Sequence, residues 1–374
     1  MNVFPSLDPI PLPAPVWLLK ALHDLTLALH FIAMEMLLGG LFIVLLLNFL
    51  GRRGGNRSAL HLNASGSISR RLPVLMTYVI NLGVPPLLFA QVLYGRAFYT
   101  SSVLIGVWWI AVIFLLIGCY WHLYRCSEKI QNGQPGWMMA LVALGLALVI
   151  SRIYSTNMTL MLHPDVWQGM YAKSGIGAHL PPYDATLMPR WSFMLVGGLV
   201  AAGFWMIWLA GRRNIGEDVR AHLSSTGGLL ASAGLGVEVW LAFRVFGAQP
   251  PDVVQKGLQA SALYHTAGLV WLGGATLLLL VALWSALRKP VSAAPGWIGL
   301  VAGLISMLAM VVYRDGIRDL TLRSRGFDVW QRAVVTNWTV VWLFIVLFVA
   351  GLGGLAWLIS VVLRASPVSE KVAS

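Results

Sequence analysis

The stretch 29–49, LHFIAMEMLLGGLFIVLLLNF, contains one acidic residue and no Lys or Arg. A helix rises 1.5 Å per residue, so about 20 apolar residues cross the roughly 30 Å hydrocarbon core of a bilayer. This stretch is long and apolar enough to do so, and it sets the reading of the rest of the chain. Runs of similar character follow at 73–94, 103–123, 137–155, 192–210, 226–247, 262–287, 296–313 and 336–363, which makes about nine transmembrane helices and an all-α polytopic membrane protein. Upstream, residues 16–28, VWLLKALHDLTLA, mix Lys20, His23 and Asp24 with apolar positions and predict an interfacial helix leading into the first span. Residues 1–15 are Pro-rich and lack the basic segment of a cleavable signal.

Composition agrees with lipid as the main solvent. The chain has 374 residues, 58% apolar and 11% charged, whereas soluble domains carry roughly 25% charged residues. A formal net charge of +12 would suit nucleic acid in a soluble protein. Here the Lys and Arg residues lie between the apolar runs, where they face anionic headgroups. Cys119 and Cys126 are seven apart and no CxxCH is present, so neither covalent c-type heme nor a structural disulfide is expected.

Basic residues in short loops set orientation. Arg52, Arg53, Arg57, Arg70 and Arg71 follow span 1; Arg125 and Lys129 follow span 3; Arg212, Arg213 and Arg220 follow span 5; Arg288 and Lys289 follow span 7. These loops share one side, expected to be cytoplasmic in a bacterial inner membrane, with the N-terminus outside and the C-terminus inside. The expected organisation is an outer or interfacial segment 1–28, a five-helix bundle 29–210, a four-helix part 211–363 and a cytoplasmic tail 364–374. The outer loop 156–189 is roughly 34 residues long, too long for a simple connector, and is expected to lie along the membrane surface. It holds His163 and His179, and their spacing in an irregular segment does not favour a metal site.

One outer segment breaks the charge rule. Residues 314–332, RDGIRDLTLRSRGFDVWQR, carry five arginines. Arg314 and Arg318 are four apart, so on a helix they share a face. Two readings stand: a site for an anion such as heme propionate or an acidic partner, or a solvated loop balanced by Asp315, Asp319 and Asp328.

Polar groups inside the membrane are costly and usually functional. His30 lies near the outer end of span 1, with His23 about 10 Å further out on nearly the same face. Glu35 follows on another part of that helix. His265 lies near the outer end of span 7, and Glu238 and Arg244 lie in span 6. His30 and His265 fall in the same outer leaflet, and two histidines at one depth can hold a b-type heme between them, or one can pair with a methionine. The alternative is that each hydrogen-bonds a neighbouring helix. Small residues, Gly39 and Gly40 on span 1 and Gly268, Gly273 and Gly274 on span 7, permit close packing or leave room for a macrocycle.

The stretch LTLALHFIAMEMLLGG at 25–40 resembles the first helix of subunit I of the cytochrome bd quinol oxidases, where a Leu-Thr pair precedes a heme-ligating His-Phe. INLGVPPLLFAQVLYGRAFYTSS at 80–102 resembles that family's second helix and the aromatic turn after it, and ALVALGLALVISRIYSTNMTLM at 140–161 resembles its fourth. The resemblance covers roughly residues 20–210. It implies a bd-like bundle and places His30 at the heme-ligand position. It also has departures. Span 3, VLIGVWWIAVIFLLIGCYW, lacks the family's glutamates, span 5, RWSFMLVGGLVAAGF, lacks its histidine, and the quinol loop is reduced to about AQPPDVVQKGLQ. A stand-alone oxygen reductase is therefore not expected.

The reading that follows is a membrane electron-transfer subunit holding heme b, a quinone or both in the outer leaflet, and exchanging electrons with a periplasmic c-type cytochrome. His30 and His265 would ligate iron, with His23 beside them. Arg314 and Arg318 would neutralise propionates, and Glu35 or Glu238 would handle protons in quinol oxidation. A heme-free quinone-binding or structural anchor is the second reading. A transporter is the third, disfavoured because no inverted repeat or paired broken helices are evident.

Overall fold

The computed structural model describes residues 10–212 and 216–364. Arg213, residues 1–9 and nearly all of the expected tail lie outside them. The chain is a bundle of helices: α1 (Val16–Arg52), α2 (Ser58–Ser69), α3 (Leu72–Leu93), α4 (Gly95–Leu104), α5 (Gly106–Gln131), α6 (Trp137–Leu160), α7 (Pro164–Lys173), α8 (Leu187–Ala210), α9 (Glu217–Gly247), the short α10 (Pro251–Val253), α11 (Ala262–Arg288), α12 (Ala294–Ser324) and α13 (Trp338–Arg364). Among the described residues eight helices, or helix pairs, are long and apolar enough to cross a membrane. The ninth expected span falls on α13, whose described apolar part is Trp338–Gly354. We call the end bearing the N-terminus of α1 the outer end, following the orientation expected from the loops.

Helix α1 is the axis of the bundle. It packs against α3, α8, α6 and α12, while α8 also pairs along its length with α9. Small residues permit these contacts. A Cβ on Gly39 of α1 would come within 1.7 Å of the Gly198 carbonyl oxygen on α8, and one on Gly203 of α8 within 2.6 Å of the Gly227 carbonyl on α9. Only glycine lets backbones approach so closely in the membrane. The outward faces carry exposed apolar side chains such as Ile110, Phe114 and Ile117 on α5 and Trp342 and Leu347 on α13, as a lipid-facing surface requires. At the inner end, Asn48 Oδ1 accepts the free backbone N–H groups of Gly136 (3.0 Å) and Trp137 (3.2 Å) that open α6, a side-chain cap for an otherwise unpaired helix terminus.

Two expectations change. The interfacial helix expected over 16–28 is continuous with span 1, and Lys20, His23 and Asp24 are buried at 7, 2 and 9% exposure. Likewise span 8 does not end at 313: α12 runs on to Ser324, and Asp315, Arg318 and Asp319 are buried along it. Both follow from ion pairing across helices, which lets charged residues sit where composition alone places them in water. The outer chain ends are tied together as well. Leu12 donates to Ala333 O (2.8 Å), Val335 to Leu12 O (2.9 Å), and Arg332 reaches Ile10 O (2.8 Å) and Val92 O (2.7 Å).

Candidate cofactor site

A cavity of about 400 Å³ lies in the outer half of the bundle between α1, α3, α5, α6, α8 and α12, within the size range of small-molecule and cofactor sites, roughly 300–1,000 Å³. His30 projects into it from α1. Its Nδ1 lies 3.0 Å from the Val79 carbonyl oxygen of α3. A carbonyl only accepts, so Nδ1 carries the proton and the lone pair is on Nε2, which has no hydrogen-bond partner among the described residues. This is how a protein orients an imidazole for a metal. Gly83 makes room for the ring: a Cβ there would stand 2.9 Å from His30 Cε1 and 3.0 Å from Nδ1. The expected alternative of a histidine satisfied by a neighbouring helix therefore accounts for only one of the two ring nitrogens.

The outer end of the cavity is cationic. Arg190, Arg314 and Arg318 line it together with His23. Arg190, at the start of α8, is held by Thr159 Oγ1 (2.7 Å), Thr186 Oγ1 (2.9 Å) and the Thr186 carbonyl (3.2 Å). Arg318 pairs with Asp315, donates from Nη1 to His23 Nε2 at 3.0 Å and lies 4.2 Å from the Tyr94 ring centroid. Lys20 pairs with both Asp315 and Asp319. Tyr94 Oη accepts from Lys20 (3.1 Å) and donates to Asp319 Oδ1 (2.6 Å). Arg314 stacks over Phe31 at 5.5 Å and makes no ion pair among the described residues. His23 Nδ1, Asp24 Oδ1 and Arg318 Nε are buried with no hydrogen-bond partner among the described residues. Buried polar atoms are nearly always satisfied, so such a group of them beside a cavity marks where a polar ligand binds. A histidine with a free Nε2, a glycine cradle and guanidiniums at one end fit the donor set of heme b, with iron on the imidazole and propionates on the arginines.

A second cavity of about 340 Å³ lies behind the same arginines, between α6, α8, α9, α11 and α12. Arg190, Arg314 and Arg318 line both. Its other walls are aromatic and aliphatic, including Phe193, Phe243, Trp271 and Tyr313.

The structure thus brings His30, His23, Arg314 and Arg318 together. It does not bring His265 to them. That residue is exposed on α11 and lines neither cavity. Depth along a helix places two residues in one leaflet but does not say that they face one another, and the His30–His265 sandwich expected from depth is not formed. Glu35 lies deeper, 5% exposed, against α8, where a Cβ on Gly197 would be 2.5 Å from its Oε1. Glu238 of α9 is half-buried and close enough for the two carboxyls to interact electrostatically. The solvated-loop reading of Arg314 and Arg318 is overturned by their place on buried turns of α12.

Sequence reasoning missed Arg190, Lys20, Tyr94, Asp315 and Asp319 as parts of one site. Arg190 falls just ahead of an apolar run and reads as a loop cation. The one available signal was the spacing of three charges, Asp315, Arg318 and Asp319, over little more than one turn of a helix. In the outer loop His163 Nε2 bonds Asp184 Oδ2 at 2.8 Å. Asp184 Oδ1 accepts from Thr186 N (2.8 Å) and Oγ1 (2.5 Å). Burial pushes the Asp184 carboxyl up, but the His163 and Thr186 hydrogen bonds outweigh it and hold the carboxyl well below its ordinary range. This chain leads from the outer surface to Arg190. His179 is exposed, and among the described residues no group of three or more His, Cys, Asp or Glu is placed to hold a metal ion.

These helices and their connections define a polytopic all-α membrane bundle with a cofactor-sized cavity in its outer half. The bundle is of the cytochrome bd type. The chain aligns with one in the structure of the bd oxidase from Geobacillus thermodenitrificans at a TM-score of 0.69, covering 96% of this chain and 100% of that one at 12% sequence identity. At that identity the likeness is one of fold. It extends over nearly the whole length, beyond the 20–210 region that carries the sequence resemblance. No protein-family model matches the chain, and no curated protein matches it.

Proposed function

We propose that this protein is a membrane subunit of a respiratory electron-transfer complex that binds a b-type heme in the cavity beside His30. The observation that carries the reading is the His30 ring, fixed through Nδ1 on the Val79 carbonyl with Nε2 left for iron. Arg190, Arg314 and Arg318 would hold the propionates. When bound, the heme supplies a one-electron carrier at the outer side of the membrane. Quinol oxidation releases two electrons and two protons; the electrons would leave one at a time toward a periplasmic c-type cytochrome, and the buried Glu35 with the half-buried Glu238 would take up or release protons. Because span 3 lacks carboxylates and span 5 lacks histidine, the chain is not expected to reduce oxygen unaided.

The test is the reduced-minus-oxidised spectrum of protein expressed with sufficient heme. The wild type is expected to show Soret and α bands of a b-type heme, and His30→Ala to lose or shift them. A wild type free of heme absorbance would defeat the assignment and leave a heme-free quinone-binding or structural anchor of the same fold.

A further inference from the structure

We infer that the second cavity is a binding site for an anionic phospholipid, with the phosphate on Arg314, Arg318 and Arg190 and an acyl chain along Phe193, Phe243 and Trp271. The inference does not depend on His30 ligating iron. Three observations carry it. First, the polar lining is cationic: three guanidiniums and no Asp or Glu. Arg314 makes no ion pair among the described residues, and Arg318, 7% exposed, leaves its Nε without a hydrogen-bond partner among them. A full negative charge with several acceptor oxygens satisfies these groups, whereas the neutral carbonyls of a quinone would leave the charge uncompensated. Second, the remaining walls are apolar except for Tyr313, and no histidine or cysteine is among them; the thioethers of Met158, Met194 and Met310 and the Tyr313 hydroxyl are the other possible iron ligands there, so an iron porphyrin would lack an imidazole or thiolate to anchor it. Third, the mouth faces the expected lipid. Phe243 is 70% and Leu272 46% exposed, both lining the cavity from its outward side. The arginines lie in the outer turns of α8 and α12, so a head at that level directs its chain down the apolar wall toward the midplane.

The full-length protein, purified from nanodiscs containing equal phosphatidylglycerol and phosphatidylcholine, is released into the gas phase for native mass spectrometry. The expected result is one retained phosphatidylglycerol. Leu272→Trp, which fills the mouth without touching an arginine, and Phe243→Glu, which puts a negative charge there, should each reduce retention by roughly tenfold or more. Size-exclusion profiles and heme content of both variants should match the wild type. Equal retention of phosphatidylcholine, retention of a fatty acid, quinone or porphyrin in this cavity, or undiminished phosphatidylglycerol in both variants would each overturn the inference. Since the readout is lipid mass, a heme-free wild type would refute the proposed function and leave this test intact.

Discussion

Replacing Lys20 by Met separates two descriptions of the outer end of α1. If residues 16–28 lay at the interface, Lys20 would be a solvated cation, and its pairs would be worth about 0–1 kcal/mol. In the structure it is 7% exposed and sits between Asp315 and Asp319, with Tyr94 as a third partner. Its loss leaves two buried carboxylates facing one guanidinium, Arg318. Breaking a buried pair by removing one partner costs about 3–5 kcal/mol, a large part of a typical stability of about 5–15 kcal/mol. At about 2 °C per kcal/mol for a long chain, apparent Tm should fall by roughly 6–10 °C. The assay is thermal unfolding of detergent-solubilised protein followed by tryptophan fluorescence, with size-exclusion recovery as a second readout. Asp319→Asn in the Lys20→Met background removes the orphaned charge and should restore at least about half of the loss, because residues in one network couple strongly. A fall of less than about 2 °C in the single variant, the surface-pair value, would refute the buried network.

Changing Arg314 and Arg318 together to Gln should weaken cofactor retention roughly 10–100-fold, the value of one or two charge-assisted hydrogen bonds, without blocking membrane insertion. The Lys pair should recover charge but only part of the affinity, since it lacks the planar fork; full heme and lipid content in the Gln variant would count against both sites. Asp184→Asn should increase hydrogen exchange over 163–186. Because the folded Asp184 carboxyl lies below its ordinary value of 3.8, its stabilisation is fully present above that pH and is lost only as pH falls further below it. The loop should therefore hold unchanged in this respect from pH 8 to 5 and loosen toward pH 3. Loosening already at pH 6 would assign the transition to another group. A reporter active only outside the cytoplasm should work near Lys173 and fail near Arg57; the reverse pattern would invert the orientation.

The spans were legible because lipid imposes long apolar runs, and their boundaries failed where charge is neutralised across helices. Asp315, Arg318 and Asp319 look like the end of a span until Lys20, almost 300 positions away, is placed beside them. His30 was legible from its local pattern, LALHFIAMEM, and its partner Val79 was not, since a backbone carbonyl has no signature in composition. His265 shows the limit of a depth argument: span position follows from the sequence, but the direction in which the side chain points depends on packing.

The outer arginines breach the usual charge asymmetry, and the cluster shows how the breach is tolerated. The cluster holds four cations, Lys20, Arg190, Arg314 and Arg318, and three carboxylates, Asp24, Asp315 and Asp319, and of these only the three arginines line the cavities. Lys20 and Arg318 are matched within the helix pair α1–α12, so they present little net charge to the membrane. Arg190 is hydrogen-bonded to Thr159 and Thr186, with Asp184 near enough to act on it electrostatically, and Arg314 stacks on Phe31 without an ion pair among the described residues, with Asp24 as its nearest carboxylate influence. Uncompensated charge in a low-dielectric site costs several kcal/mol. Arg190 and Arg314 line both cavities together with Arg318, where a bound anion would offset their charge. A propionate on one side and a phosphate on the other would complete the same electrostatic balance. On the two proposed readings, ligand binding rather than solvent would meet the cost of this positive cluster.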